Sequence, residues 1–343
     1  MKFLLTTLLL FFFSVSYAQN LEKLTYQELD SIGLYFLDEE EYKKAEKHFK
    51  ASLSKIENKF GKTDTLYAQV QIHLAYIYVD DFRLEEAKPL LIEAKETYKK
   101  VTGENSKKHA RACYYLAYFY LESGEYAKAE SLYAQAKSIY EALNKQNDNF
   151  YAVILRGLAN VYYEQSLYDK AEPIYVEIKS IQENSVGKNH DWYGEACEDL
   201  ANLYSEIDEL EKAETLYFEA MRIYENEFGQ QDEGYASICN NLGNLYTDMR
   251  KYEKAEPYYK RAMQIDKKIF GKKNPIYADD LNNLGNFYSI QSKNEKAEKL
   301  YLQALQIYQN TLGKNHPTYA MTAANLGSCL RPESRRSQWK KVA

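Results

Sequence analysis

Tyr235 to Asn274 reads YASICNNLGNLYTDMRKYEKAEPYYKRAMQIDKKIFGKKN, and the chain repeats this stretch with a period of 42 residues. Ala255 has counterparts at Ala45, Ala87, Ala129, Ala171, Ala213 and Ala297. Tyr235 falls in register with Tyr67, His109, Tyr151, Tyr193, Tyr277 and Tyr319, and Gly271 with Gly61, Gly103, Lys145, Gly187, Gly229 and Gly313. One fixed period without insertions marks a stacked repeat architecture. Inside the stretch, Tyr235, Ile238, Cys239, Leu242, Leu245, Tyr246 and Met249 form one helical stripe; Tyr252, Ala255, Tyr259, Ala262, Ile265 and Ile269 form another. Arg250-Lys251 leaves room only for a tight turn, so the two helices are antiparallel neighbours. Gly271 suits the left-handed residue that ends a helix, and Asn274-Pro275 keeps the next link extended. Such a hairpin cannot bury its apolar faces alone and must stack on its neighbours.

These residues carry a resemblance. Leu242-Gly243-x-x-Tyr246 followed by Ala255-x-x-x-Tyr259 and Ala262 resembles the tetratricopeptide pattern. The longer unit, with loops such as Gly313-Lys314-Asn315-His316-Pro317, is similar to the repeats of kinesin light chains and their bacterial relatives over about residues 28–330. The resemblance implies an all-α, right-handed α-solenoid of stacked antiparallel hairpins, with the first helix of each unit lining the concave side. Residues 19–330 then form one array of seven full hairpins plus the front helix of an eighth. The third hairpin has Lys145 where glycine is expected, so Asn144 or Asn147 takes the left-handed position there. Pro89, Pro173 and Pro257 share a column early in the second helices and should bend them slightly.

The first 18 residues differ in kind. Lys2, the apolar run from Leu4 to Phe13 and Ser16-Tyr17-Ala18 read as a secretory signal peptide cleaved before Gln19, which places the mature chain in the periplasm or medium. No other stretch is a candidate membrane span. The tail 331–343 carries five basic residues and one acid and reads as disordered, whereas 38 basic and 49 acidic side chains leave residues 19–330 at −11. That balance argues against a nucleic-acid partner, which would need a basic stripe. The 34 tyrosines are expected to fill repeat interfaces with their hydroxyls at the wet rim.

Catalytic chemistry finds no support. The five histidines form neither HxxxH nor HExxH, and there is no G-x-S-x-G, phosphate loop or dinucleotide fingerprint. Cys113, Cys197, Cys239 and Cys329 stand in apolar core columns, too far apart across repeats to bridge, and are expected to be free buried thiols. The expectation is a protein that is not an enzyme and uses no cofactor or metal.

What remains is a surface. At 100° per residue, Asn240, Asn244, Thr247 and Asp248 turn away from the Leu242 core stripe. The column through Asn244 reads Tyr76, Tyr118, Asn160, Asn202, Asn244, Asn286; its neighbour includes Tyr114, Arg156, Glu198, Asn240 and Asn282; a rim runs Asp38, Asp80, Glu122, Glu164, Glu206, Asp248. An asparagine ladder can hold an extended peptide backbone whatever its sequence, because each amide both donates and accepts. Alternatively these asparagines bridge adjacent front helices, the reading preferred for Asn241, Asn283 and Asn325. The kinesin-light-chain resemblance implies peptide contacts at Asn240 and Asn282. A clamp for a C-terminal carboxylate would need basic groups, and only Arg111 and Arg156 are placed for it.

The expected function is a scaffold that holds a peptide or partner protein, basic or neutral, in its concave groove. Two alternatives stand beside it. The array resembles the N-terminal sensing part of larger bacterial proteins with a peptidase domain, or a membrane span and kinase, with the repeat interrupted after Leu330. Or it is a structural protein that self-associates through the eighth front helix.

Overall fold

The computed structural model describes residues 21–39, 41–146 and 148–330. The signal-peptide segment, the basic tail and Asn147 lie outside the described residues. Among these residues the chain is fifteen α-helices and no strand. The hairpins are α1 (Tyr26–Asp38) with α2 (Tyr42–Phe60), α3 (Thr65–Asp80) with α4 (Leu84–Thr102), α5 (Lys107–Glu122) with α6 (Tyr126–Ala142), and α7 (Asn149–Glu164) with α8 (Tyr168–Ser185). They continue as α9 (Asp191–Glu206) with α10 (Leu210–Glu227), α11 (Glu233–Asp248) with α12 (Tyr252–Ile269), and α13 (Pro275–Ile290) with α14 (Asn294–Thr311); α15 (Pro317–Cys329) follows alone. Two compact units divide inside α8, one up to Ile174 and one from Tyr175 onward. Within each unit, second helices pack on the following front helix, and successive front helices also touch.

A polar column caps the front helices. Asp64, Ser106, Asp148, Asp232 and Asn274 each accept a backbone N–H from the first turn through their side chains. His190 and His316 fill the same position, their Nδ1 accepting from Trp192 and Thr318 at 3.3 Å each. Capping satisfies donors that the helix cannot pair internally. Two left-handed corners then set each repeat. The loops between hairpins place Gly61, Gly103, Gly187, Gly229, Gly271 and Gly313 at φ 84–89°. Where Lys145 breaks that column, Asn144 takes φ 52°, and α6 stops at Ala142, two residues short of α4 and one short of α8 in repeat register. The turns inside hairpins put Phe82, Ser166, Asp208, Arg250 and Ser292 at φ 55–63°, beside Gly124. Pro89, Pro173 and Pro257 lie inside α4, α8 and α12, which run on through them.

Alanines Ala45, Ala87, Ala129, Ala171, Ala213, Ala255 and Ala297 are fully buried, as are large tyrosines such as Tyr133, Tyr151, Tyr193 and Tyr308. Several of their hydroxyls end on partly exposed or exposed carboxylates: Tyr151 donates to Glu141, Tyr193 to Glu219 and Tyr308 to Asp279. A second set joins neighbouring hairpins. Tyr78 donates to Glu46, Tyr162 to Glu130, Tyr246 to Glu214 and Tyr288 to Glu256, each pair 32 residues apart. All four cysteines are free and buried. Burial pushes the thiol of Cys113 up to about 11 and those of Cys197 and Cys239 to about 12, so they are poor nucleophiles at neutral pH.

Candidate functional site

In the second unit the asparagine column is held by tyrosines of the second helices. Tyr217 donates its hydroxyl to Asn202 Oδ1 at 2.6 Å, Tyr259 to Asn244 Oδ1 at 2.7 Å and Tyr301 to Asn286 Oδ1 at 2.7 Å. Each pair is 15 residues apart and belongs to one hairpin. The hydroxyl engages the amide oxygen of each asparagine and leaves its two N–H donors out of that bond. Asn244 is exposed; Asn202 and Asn286 are half-buried. The tyrosine reaches this far because a small residue lies beneath it. A Cβ added at Gly243 would stand 2.8 Å from Tyr259 Cε1, and one at Gly285 2.7 Å from Tyr301 Cε1. Thr247, expected on the outward face, is instead buried at 6% and meets the Tyr259 hydroxyl at 3.2 Å.

The neighbouring column behaves differently. Asn240 donates to Asp280 Oδ1 at 2.6 Å, and Asn282, only 4% exposed, accepts from Asn325 Nδ2 at 3.2 Å. Asn241 Nδ2 and the Ser237 hydroxyl donate to Glu198 Oε1, both at 2.9 Å. Asn240 and Asn282 thus join helices, as Asn241 and Asn325 do, and Asn282 is withdrawn from solvent. Burial pushes the carboxyl of Glu198 up to about 7 against the lowering effect of its hydrogen bonds.

The first unit carries aromatic rings where the second carries amides. Tyr76 stacks on Tyr118 with centroids 5.7 Å apart, Tyr76 meets Tyr115 edge-on at 6.3 Å, and Tyr114 packs on Phe150 at 5.1 Å. The Tyr118 hydroxyl donates to Asp80 at 3.0 Å. Asn160, half-buried, belongs to the same column in this unit. The guanidinium of Arg111 lies over Phe150 at 4.9 Å, while Arg156 is half-buried. Glu122, Glu164, Glu206 and Asp248 are exposed, with Asp80 half-buried. Partial burial and then the neighbouring Asp80 and Glu164 raise Glu122; partial burial, Glu206 and Asp208 raise Asp248. Along each unit the rim acids therefore feel one another's charge. Among the described residues, no group of three or more His, Cys, Asp or Glu could hold a metal ion, and no helix is long and apolar enough to cross a membrane.

Comparisons with known proteins bear on the fold. A family model described as tetratricopeptide repeat matches residues 66–142, 150–226, 234–286 and 281–337. The structure of BtubC (BKLC) from P. vanneervenii superposes with a TM-score of 0.53 at 25% identity, over 73% of this chain and 94% of that one. Aspartyl phosphate phosphatase F from Bacillus subtilis gives 0.64 at 19% identity, over 90% and 76%. The Rap conjugation gene regulator of plasmid pLS20, solved in complex with the Phr* peptide, gives 0.62 at 14%, over 85% and 77%. No curated protein sequence matches the chain.

Proposed function

Because the chain belongs to the tetratricopeptide-repeat family, we propose that it is a protein-interaction scaffold whose second unit holds an extended polypeptide on Asn202, Asn244 and Asn286. One observation carries this reading: three amides at a fixed repeat, each held through its oxygen by a tyrosine of the same hairpin, a bond that leaves the N–H groups uncommitted. Donors in a row match the carbonyl oxygens of an extended chain and ask nothing of its side chains. The acids Glu206 and Asp248 beside them favour a basic segment, whose charge relieves their mutual repulsion. The Phr* peptide in the complex of the Rap regulator supports a peptide as the ligand class, by likeness of fold alone. In the first unit, Tyr76 and Tyr118 would take apolar or aromatic side chains, with Asp80, Glu122 and Glu164 at the edge. This reading assigns the chain no catalytic step.

The test uses folded protein panned against a random-peptide display library. Enriched peptides should be rich in Lys and Arg, and the triple variant Asn202→Ala, Asn244→Ala, Asn286→Ala should lose them while keeping its helical spectrum. Retention of the same peptides by the triple variant would end the proposal. The same reading places the mature protein outside the cytoplasm, on the strength of residues 1–18 alone. Mass spectrometry of the protein from its native host should find Gln19 at the N-terminus; a chain still beginning at Met1 would remove that part.

A further inference from the structure

Two columns of the repeat break at one junction. The first reads Val70, Ala112, Ile154, Ala196, Ile238, Asp280, Thr322, and every member is at most 2% exposed. The second reads Ile56, Tyr98, Tyr140, Gln182, Tyr224, Asp266, Tyr308, at most 6% exposed. Asp280 on α13 thus stands where other repeats bury a small or branched side chain, and Asp266 on α12 where most bury a tyrosine. Both exceptions occur at the packing of the sixth hairpin on the seventh, and there they meet: the two carboxyl groups lie within hydrogen-bond reach of each other. Asn240 of α11 donates to Asp280 Oδ1 at 2.6 Å. Asp266 Oδ1 and Asp280 Oδ2 are fully buried, and among the described residues no side chain or backbone group donates to them.

Two ionised carboxylates cannot remain in such a place without a cation. The groups around them supply none. Glu233 and Cys239 face them from α11, Asp279 and Tyr277 from α13, and Tyr308 from α14. Tyr308 gives its hydroxyl to Asp279, and His316, the cap of α15, acts on Asp279 rather than on the pair. Arg261 of α12, which acts on Cys239, is bonded outward to the carbonyl and side-chain oxygens of Gln230. A hydrogen between the two carboxyls removes the difficulty, since a neutral acid donates to its charged partner and both orphaned oxygens gain a use.

We propose that Asp266 and Asp280 share a proton that fastens the sixth hairpin to the seventh, and that its loss in mild alkali loosens this junction. Burial, followed for Asp280 by repulsion from Asp266, raises both carboxyls, Asp280 the further. Groups raised in the folded state favour folding below the ordinary carboxylate range and lose that contribution as pH climbs through the folded values. The junction is therefore tight in weak acid and looser above neutrality. This proposal stands apart from peptide binding, and its readout needs no ligand.

The experiment is hydrogen exchange on the full chain, comparing wild type with Asp280→Asn at about pH 6 and about pH 9. Asparagine keeps the shape and stays neutral, so dividing the two proteins' rates at each pH cancels the chemical dependence of exchange. Wild-type amides in α12 and α13 should lose about tenfold or more in protection relative to the variant on going to the higher pH, while α9 and α10 keep their ratio. Should Asp280→Asn fail to fold, the double variant Asp266→Tyr, Asp280→Ile, which copies the Tyr224 and Ile238 pairing one repeat earlier, serves as the neutral reference. An unchanged ratio at both pH values overturns the proposal. So does recovery of protection at the higher pH on adding calcium, with its loss on chelation, because the pair would then hold a cation rather than a proton.

Discussion

The same column of front-helix residues is used differently in the two units. In the first, Tyr76 and Tyr118 stack on one another and Tyr118 donates to Asp80, so the rings are engaged within the protein. In the second, Asn202, Asn244 and Asn286 are each gripped from one side only, by the tyrosine 15 residues later. Opposite Tyr76 that position is Leu91, which offers no hydroxyl to orient an amide. One column thus carries packed rings in the first unit and tyrosine-held amides in the second, although the residue 15 after Tyr118 is itself a tyrosine, Tyr133.

The largest expected effect separates the two faces directly. Tyr118→Ala should cost about 2–3 kcal/mol in denaturant unfolding, through lost ring burial and stacking. Asn244→Ala should cost under about 1 kcal/mol, since only one hydrogen bond goes. Equal losses would erase the distinction between packed rings and held amides. Next comes pH. Glu198, held near 7 by burial, gives its full contribution below the ordinary carboxylate range and loses it as pH rises through about 7. Stability should fall by about 2 kcal/mol between pH 5 and pH 8 from this group, and Glu198→Gln should remove that part of the slope. A variant whose unfolding curve keeps the wild-type pH slope would show that Glu198 is not buried as described.

Gly285→Ala probes the fit beneath the tyrosine. The new methyl stands 2.7 Å from the Tyr301 ring, so the ring must move, at about 1–2 kcal/mol, and capture of the peptides enriched by display should weaken with it. If stability drops while capture is untouched, the ring does not set the amide's direction. The smallest effect is the sharpest comparison. Tyr259→Phe should cost about 1 kcal/mol because it removes the hydroxyl's bonds to Asn244 and the buried Thr247, whereas Tyr133→Phe, whose hydroxyl makes no hydrogen bond among the described residues, should be close to neutral in the same melt.

Most of the architecture was legible in the sequence because the 42-residue register exposes one chemistry per column. The alanine column is buried throughout, and the gap left by Lys145 is filled by Asn144. The capping column, Asp64 to His316, was equally present in the sequence and could have been read from its run of Asp, Ser, Asn and His. The left-handed turn at Phe82, Ser166, Asp208, Arg250 and Ser292 could not, since these side chains share no conformational preference and the hairpin imposes the geometry on them. At the candidate site, angular position on one helix correctly turned Asn244 outward but misplaced Thr247, because a helical wheel ignores the tyrosine arriving from the second helix. The spacing of 15 between Asn and Tyr was the signal that would have joined them. Asn282 was read as a groove residue by likeness to kinesin light chains, yet in this chain Asn325 reaches across to it.

The bonds from Tyr78, Tyr162, Tyr246 and Tyr288 to a glutamate in the preceding hairpin carry a consequence for how such a gene can change. Four seams use the same pair at the same distance in sequence, so a segment of 42 codons duplicated or excised in frame between two of them finds matching partners at both new joints. Unequal crossing-over could then lengthen or shorten the array without designing a new joint, and each added hairpin would extend the accessible ligand by about three residues of extended chain.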